Sequence, residues 1–137
     1  MYPAIGFHFQ VIFQGIDDPN GVDQGFLSVS GLTAGVTDVD GIAGATDSRG
    51  VVLLRRAVRP NTESALTRWL FSNFDANNVE PLPCAQVNLL DESHKPYITW
   101  VLHKITPKSW RLGELNGEKS EILVESIELY YEHLGWG

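Results

Sequence analysis

Apolar residues in this chain recur at every second position in most segments and at helical spacing in only one, which confines it to β-rich folds. Phe7, Phe9, Val11 and Phe13 alternate with His8, Gln10, Ile12 and Gln14, the pattern of a strand with one buried face. Asp17-Asp18-Pro19-Asn20-Gly21 then supplies turn chemistry. Further strands are expected over 25–30 and 36–40, and the small, glycine-rich stretch 41–50 reads as a mobile loop or the tip of a long hairpin. Val51-Val52-Leu53-Leu54 is a continuous apolar run, as expected of a strand covered on both faces. Pro60-Asn61 stops it. With Asn61 as cap, Ala65, Leu66, Trp69, Leu70 and Phe74 share one face of the single expected helix, which ends over 73–78, ahead of Pro81 and Pro83.

Segments 85–90 and 97–105 flank a medium loop and read as a hairpin, with Ile98, Trp100 and Leu102 on the inner side. After Pro107 and Trp110 a polar loop containing Asn116-Gly117 is expected, then a last strand over 121–132. There the apolar phase changes from even (Ile122, Val124) to odd (Ile127, Leu129, Tyr131). That implies a bulge near Glu125-Ser126, or a strand that buries different faces along its length, and either suits a long strand that leaves one sheet and enters another. The whole is mainly β, an antiparallel sandwich or open barrel with one flanking helix and a long hairpin. At 137 residues it reads as a single domain, 1–137, large enough to bury a core. No apolar run is long enough to cross a bilayer, no signal peptide is expected behind Met1-Tyr2-Pro3, and the lone Cys84 can form no internal disulfide.

Charge is distributed unevenly. Residues 1–48 hold six aspartates (Asp17, Asp18, Asp23, Asp38, Asp40, Asp47) and no Lys or Arg, so nearly all of the net charge of −7 sits there. Arg49, Arg55, Arg56, Arg59 and Arg68 follow at once. An acidic block beside an arginine block suits head-to-tail contact between copies, the alternative being an unevenly charged solvated surface. The candidate contact residues are Asp38, Asp40, Asp47, Arg49, Arg55, Arg56 and Arg59, with Trp136 as a terminal aromatic that packs on a neighbour or on its own domain. Overall acidity disfavours nucleic-acid binding.

Motifs for chemistry are missing. His8, His94 and His103 have no metal-ligand spacing, the aspartates at 17–23 fail the calcium-loop pattern, and Ser28 and Ser30 form no nucleophile elbow. Gly41-Ile42-Ala43-Gly44 lacks the lysine of a phosphate loop, and the tryptophans read as packing. No enzyme, cofactor or metal is expected. A small binding module is the competing class.

The order of motifs resembles the tail-tube protein family of contractile phages and extracellular contractile injection systems. The resemblance rests on Phe7-His8-Phe9-Gln10-Val11, Gly25-Phe26-Leu27-Ser28-Val29-Ser30-Gly31-Leu32, Val52-Leu53-Leu54-Arg55-Arg56 and the Leu66 to Leu70 stretch with Trp69. Toward the end it adds Val87-Asn88-Leu89-Leu90-Asp91-Glu92, Trp100, Pro107 with Trp110, and the run from Glu121 to Leu129. It implies a structural subunit of an inner tube: a homo-hexamer whose hairpins close one continuous barrel around a lumen. Rings would stack, with sheath and baseplate or spike proteins as partners and possible cargo inside, without membrane insertion. Assembly would be cytoplasmic, followed by incorporation into a phage-tail-like particle. The segment between Val36 and Val51 is shorter than the family's and lacks its usual proline and aromatic. That fits a tube-initiating component at the baseplate end, with the repeating tube subunit as the alternative.

Overall fold

The computed structural model describes residues 8–19, 21–33, 35–39, 42–47, 49–58, 62–75, 79–113 and 123–136, with the backbone alone for His8, 35–39 and 42–47. Phe7, Asp40, Gly41, Arg59, Pro60, Asn61, Asn116-Gly117, Glu121 and Ile122, named above, lie outside these residues.

The elements run β1 (His8–Phe13), β2 (Gly25–Phe26), β3 (Ser28–Ser30), β4 (Gly35–Val39), β5 (Ile42–Asp47), β6 (Gly50–Ala57), α1 (Ala65–Asp75), β7 (Leu82–Leu90), β8 (Pro96–Leu112), β9 (Val124–Tyr131) and β10 (His133–Trp136). Among the described residues the fold is thus mainly β, with antiparallel pairing and one helix. The main sheet has the order β2-β1-β7-β8-β9-β6-β3, with β10 added alongside the first half of β8. Its two ends, β2 and β3, are consecutive in the chain. At the break between them the Leu27 N–H donates to the Arg55 carbonyl at 2.8 Å, so one short segment serves both ends and the sheet curls into an open barrel. What reads as one strand over 25–30 is therefore two, split where the chain crosses from β1 to β6.

β8 is the long element on which both halves hang. Its first part pairs with β7 and β10, its second with β9. Lys104, with φ 57°, marks the passage between them. β8 also runs on past Ile105, where the expected strand ended, through Pro107 and Trp110 to Leu112. Pro107 is accommodated because the register shifts between Pro107 and Ser109, and a strand tolerates proline at a bulge.

The expected bulge at Glu125-Ser126 does not exist. β9 pairs with β6 in unbroken register, and Glu125, Ile127, Leu129 and Tyr131 are all buried on one side. The apolar pattern misleads because position 125 on the inward face carries a carboxylate. The interruption falls at Glu132, where β9 ends and β10 begins in register with β8. Nor does β9 bury different faces along its length; the passage from one sheet pairing to another comes only after it, at β10.

Inside the barrel Val11, Val52, Leu54, Val87, Leu102, Ile105 and Ile127 are almost wholly buried. α1 contributes Leu66 and Leu70, both 0% exposed, each contributing about 1.5–3 kcal/mol by leaving water. Its cap is Ser64 instead of Asn61: the helix starts at Ala65, and the Ser64 hydroxyl accepts the Thr67 N–H at 3.0 Å. Phe74, expected on the buried face, is 39% exposed and packs edge-on against Phe71, which in turn touches Trp110.

Candidate assembly surface

Along β6 side chains alternate strictly. Val52, Leu54 and Arg56 point inward while Arg55 is exposed on the other face. Arg56, grouped with Arg55 as a contact residue from sequence, is therefore placed inside the domain at 1% exposure. Its Nε donates to Glu125 Oε2 at 2.7 Å, one terminal nitrogen to Asp23 Oδ1 at 2.7 Å, and the other to the hydroxyls of Ser64 and Thr67 at 2.9 and 3.1 Å. Trp110 Nε1 donates to the second oxygen of Glu125 at 2.5 Å, and Phe26 lies 5.6 Å beneath the guanidinium.

Asp23 reaches this node because Asp18 ties down the loop before it, accepting the N–H groups of Val22 and Asp23. Asp23 accepts from the Ser64 hydroxyl and, through Oδ2, from the Leu66 N–H, a second cap for α1 supplied from another part of the chain. Burial alone would raise its carboxyl, but the hydrogen bonds from Ser64, Arg56 and Leu66 and the Arg56 charge outweigh it and hold the group below its ordinary 3.8. Every buried side-chain polar atom among the described residues has a partner. Such a node holds elements together. Among the described residues no three His, Cys, Asp or Glu side chains gather as a metal set.

The outward face over β6, β9 and β8 is different. Register places Arg55, Ser126 and Arg111 in one transverse row, with Leu53, Glu128 and Ser109 in the next. Between them lies a shallow cavity of about 270 Å³ lined by Leu53, Ser109, Arg111, Ser126 and Glu128. Ser109 donates to Glu128 at 2.7 Å and Lys108 lies 3.5 Å from it, which with Arg111 holds the Glu128 carboxyl below its usual range. Among the described residues Arg55 makes no side-chain hydrogen bond or ion pair, and Arg111 acts on Glu128 through its charge alone. Arg111 escaped the sequence reading because it lies fifty-odd positions from Arg55 and only strand register brings the two onto one face.

Strand edges stay open among the described residues. The outer edge of β10 pairs with nothing among the described residues, and Trp136 upon it is 80% exposed, tilted against Trp100 at 6.4 Å. Among the described residues β4 and β5 pair only with each other, with a register shift between Thr37 and Val39. Asp38 lies on β4 and Asp47 on β5, Arg49 is exposed just before β6, and the side chains of both aspartates lie outside the described atoms. The base of this hairpin is clamped. Tyr131 donates its hydroxyl proton to the Gly31 carbonyl at 2.9 Å and accepts the Thr33 N–H at 3.0 Å. Gly31 is required there, since its φ is +91° and a Cβ would meet the Val51 carbonyl at 2.1 Å.

A family model described as T4-like virus tail tube protein gp19 matches residues 5–135. No curated protein matches the chain. Among solved structures, a chain of the sheath-tube complex of an extracellular contractile injection system (PVC) superposes with TM-score 0.67 at 22% identity, over 93% of this chain and 86% of that one. A chain of the tube-terminating cap of the anti-feeding prophage gives 0.69 at 21%, over 98% and 90%. Hcp1 from Salmonella typhimurium gives 0.60 at 12%, over 93% and 83%. At these identities the superpositions speak for the fold.

Proposed function

The chain belongs to the T4-like virus tail tube protein family, and from that membership we propose that it is a structural subunit of the inner tube of a contractile injection machine, forming stacked six-membered rings around a lumen. The observation that carries the reading is the family match over residues 5–135. The fold supplies the means: a strand edge left open at β10 and a hairpin standing apart from the main sheet, both of which another copy can complete. No catalytic role enters. The partners are neighbouring rings, a surrounding sheath and a baseplate or spike; assembly is cytoplasmic and the product a tail-like particle.

Ring-to-ring contact would use the acidic hairpin, with Asp38, Asp40 and Asp47, against Arg49, Arg55 and Arg59 of the next copy, joined by Arg111, which shares the open face with Arg55. Arg56 is committed inside the domain and takes no part. Trp136 belongs to the contact within a ring, at the β10 edge. The compact segment between Val36 and Val51 supports the tube-initiating position, next to the baseplate.

Light scattering and negative-stain imaging of the protein, alone and co-expressed with sheath and baseplate or spike proteins, test this. Rings that appear only with spike-side partners support the initiating role, and long tubes from the protein alone support the repeating subunit. A strict monomer under both conditions overturns the proposal. Replacing both Arg55 and Arg111 by Glu is expected to leave rings intact and abolish their stacking.

A further inference from the structure

Where β8 and β10 pair, the side away from Leu102 and Leu134 carries two of the chain's four histidines. His103 and His133 are far apart in sequence, yet register sets them directly opposite each other. Their rings lie 5.5 Å apart, centre to centre, inclined at 32°. Both Nε2 atoms lean over Gly135, two positions beyond His133 on β10. A Cβ added there would lie 3.8 Å from the nitrogen of His133 and 3.9 Å from that of His103. Gly135 has no left-handed backbone and sits in unbroken register with Val101, so neither turn nor bulge calls for glycine at this place. Glycine weakens a strand interior, and it often marks a point where a ligand comes close to the backbone. Here the missing side chain leaves room beneath two converging nitrogens, which ring stacking by itself does not require.

We infer that His103 and His133 form a two-imidazole site for a divalent transition-metal ion such as zinc, seated over Gly135. Imidazole nitrogen suits zinc, nickel and copper, whereas magnesium and calcium take oxygen ligands. Zinc binds such a nitrogen at about 2.0–2.1 Å, and both rings lie at the surface, where small side-chain rotations bring the two nitrogens to one ion. Among the described residues no third His, Cys, Asp or Glu side chain completes a metal set, so water fills the rest of the shell and the ion exchanges. Cys84 stands on the other side of His103 in the same row, and Glu132, next to His133, is engaged by Lys104 at 2.9 Å. The ion acts as a rivet. It fastens β10, which holds to β8 through only four paired positions, on the face opposite Leu134 and its contact with the core. Because the outer edge of β10 is open among the described residues, an ion that holds this strand in place also holds that edge in shape. The site is complete in a single copy and does not depend on the ring reading.

Calorimetric titration of the purified protein with zinc chloride tests this, with magnesium chloride as the control. One zinc per chain and no magnesium binding are expected, together with a urea midpoint that rises with zinc concentration, since an ion that binds only the folded chain stabilises it by mass action. His103→Ala and His133→Ala should each weaken zinc binding by about tenfold or more, the range in which even the loss of a supporting group falls. Gly135→Ala should weaken it as well with both histidines still present, because the methyl group takes the seat of the ion. That variant should be no less stable than wild type without zinc, as the added carbon meets both nitrogens at ordinary contact distance. Cys84→Ser is expected to bind zinc as wild type does. Binding that survives the double His103→Ala, His133→Ala variant, or that is lost in Cys84→Ser, overturns the two-imidazole set. Undiminished binding by Gly135→Ala overturns the seat over Gly135, and no zinc binding by the wild-type chain overturns the site altogether.

Discussion

Arg55 and Arg56 are adjacent in the chain and share a strand, yet they belong to opposite worlds. Arg56 is sealed among Asp23, Glu125, Ser64 and Thr67, with its guanidinium hydrogen-bonded on three nitrogens. Arg55 stands on the open face beside Ser126, in the same row as Arg111, and nothing in the chain pairs with it among the described residues. One strand thus supplies a charge that organises the fold and a charge offered outward. A run of basic residues in a strand is two populations, separated by parity, and only the outward one is available to a neighbouring copy.

The sharpest way to break this contrast is to truncate the inner member. Arg56→Ala would strand two carboxylates in the core and cost about 3–5 kcal/mol, the range for removing one partner of a buried ion pair. Urea denaturation reads it, and a loss near that of an ordinary surface substitution would show that the node is solvated and the contrast empty. Acid probes the same node more gently. The Asp23 carboxyl has its folded value lowered, so its contribution is fully present above its ordinary 3.8 and is lost as pH falls below that toward the lowered folded value. An Asp23→Asn variant should start less stable at neutral pH and show a shallower acid-induced loss. An unchanged acid profile would mean that Asp23 is not what Arg56 leans on.

How much of this was legible beforehand follows the same division. Strand alternation located β1, β7 and the first half of β8, and the Leu66 and Leu70 spacing located the helix, because in these elements the buried positions are apolar. Legibility failed wherever a polar group was buried. Glu125 on the inward face of β9 made a continuous strand read as a slipped one, Arg56 passed for a surface residue, and Ser64 went unnoticed as the cap although Asp23 and Arg56 converge on it. The candidate contact surface was legible only in its charge blocks. That Arg111 joins Arg55, and that the β10 edge is left open, depend on strand order, which local periodicity does not encode.

The smallest effect is the most discriminating. Arg55→Ala removes an exposed side chain with no partner in the chain among the described residues, so stability should change by no more than about 0.5 kcal/mol, the usual span for surface positions. Its aliphatic stem covers little of the core, since Leu54 and Arg56 on either side face inward and it alone faces out. The prediction therefore has two halves that must hold together: denaturation midpoints that coincide with wild type, and an assembly that is weaker than wild type at low salt but loses less on going to high salt, because one of the charges whose attraction salt screens is gone. If Arg55→Ala destabilised the monomer as Arg56→Ala does, parity along β6 would not be what separates the two roles.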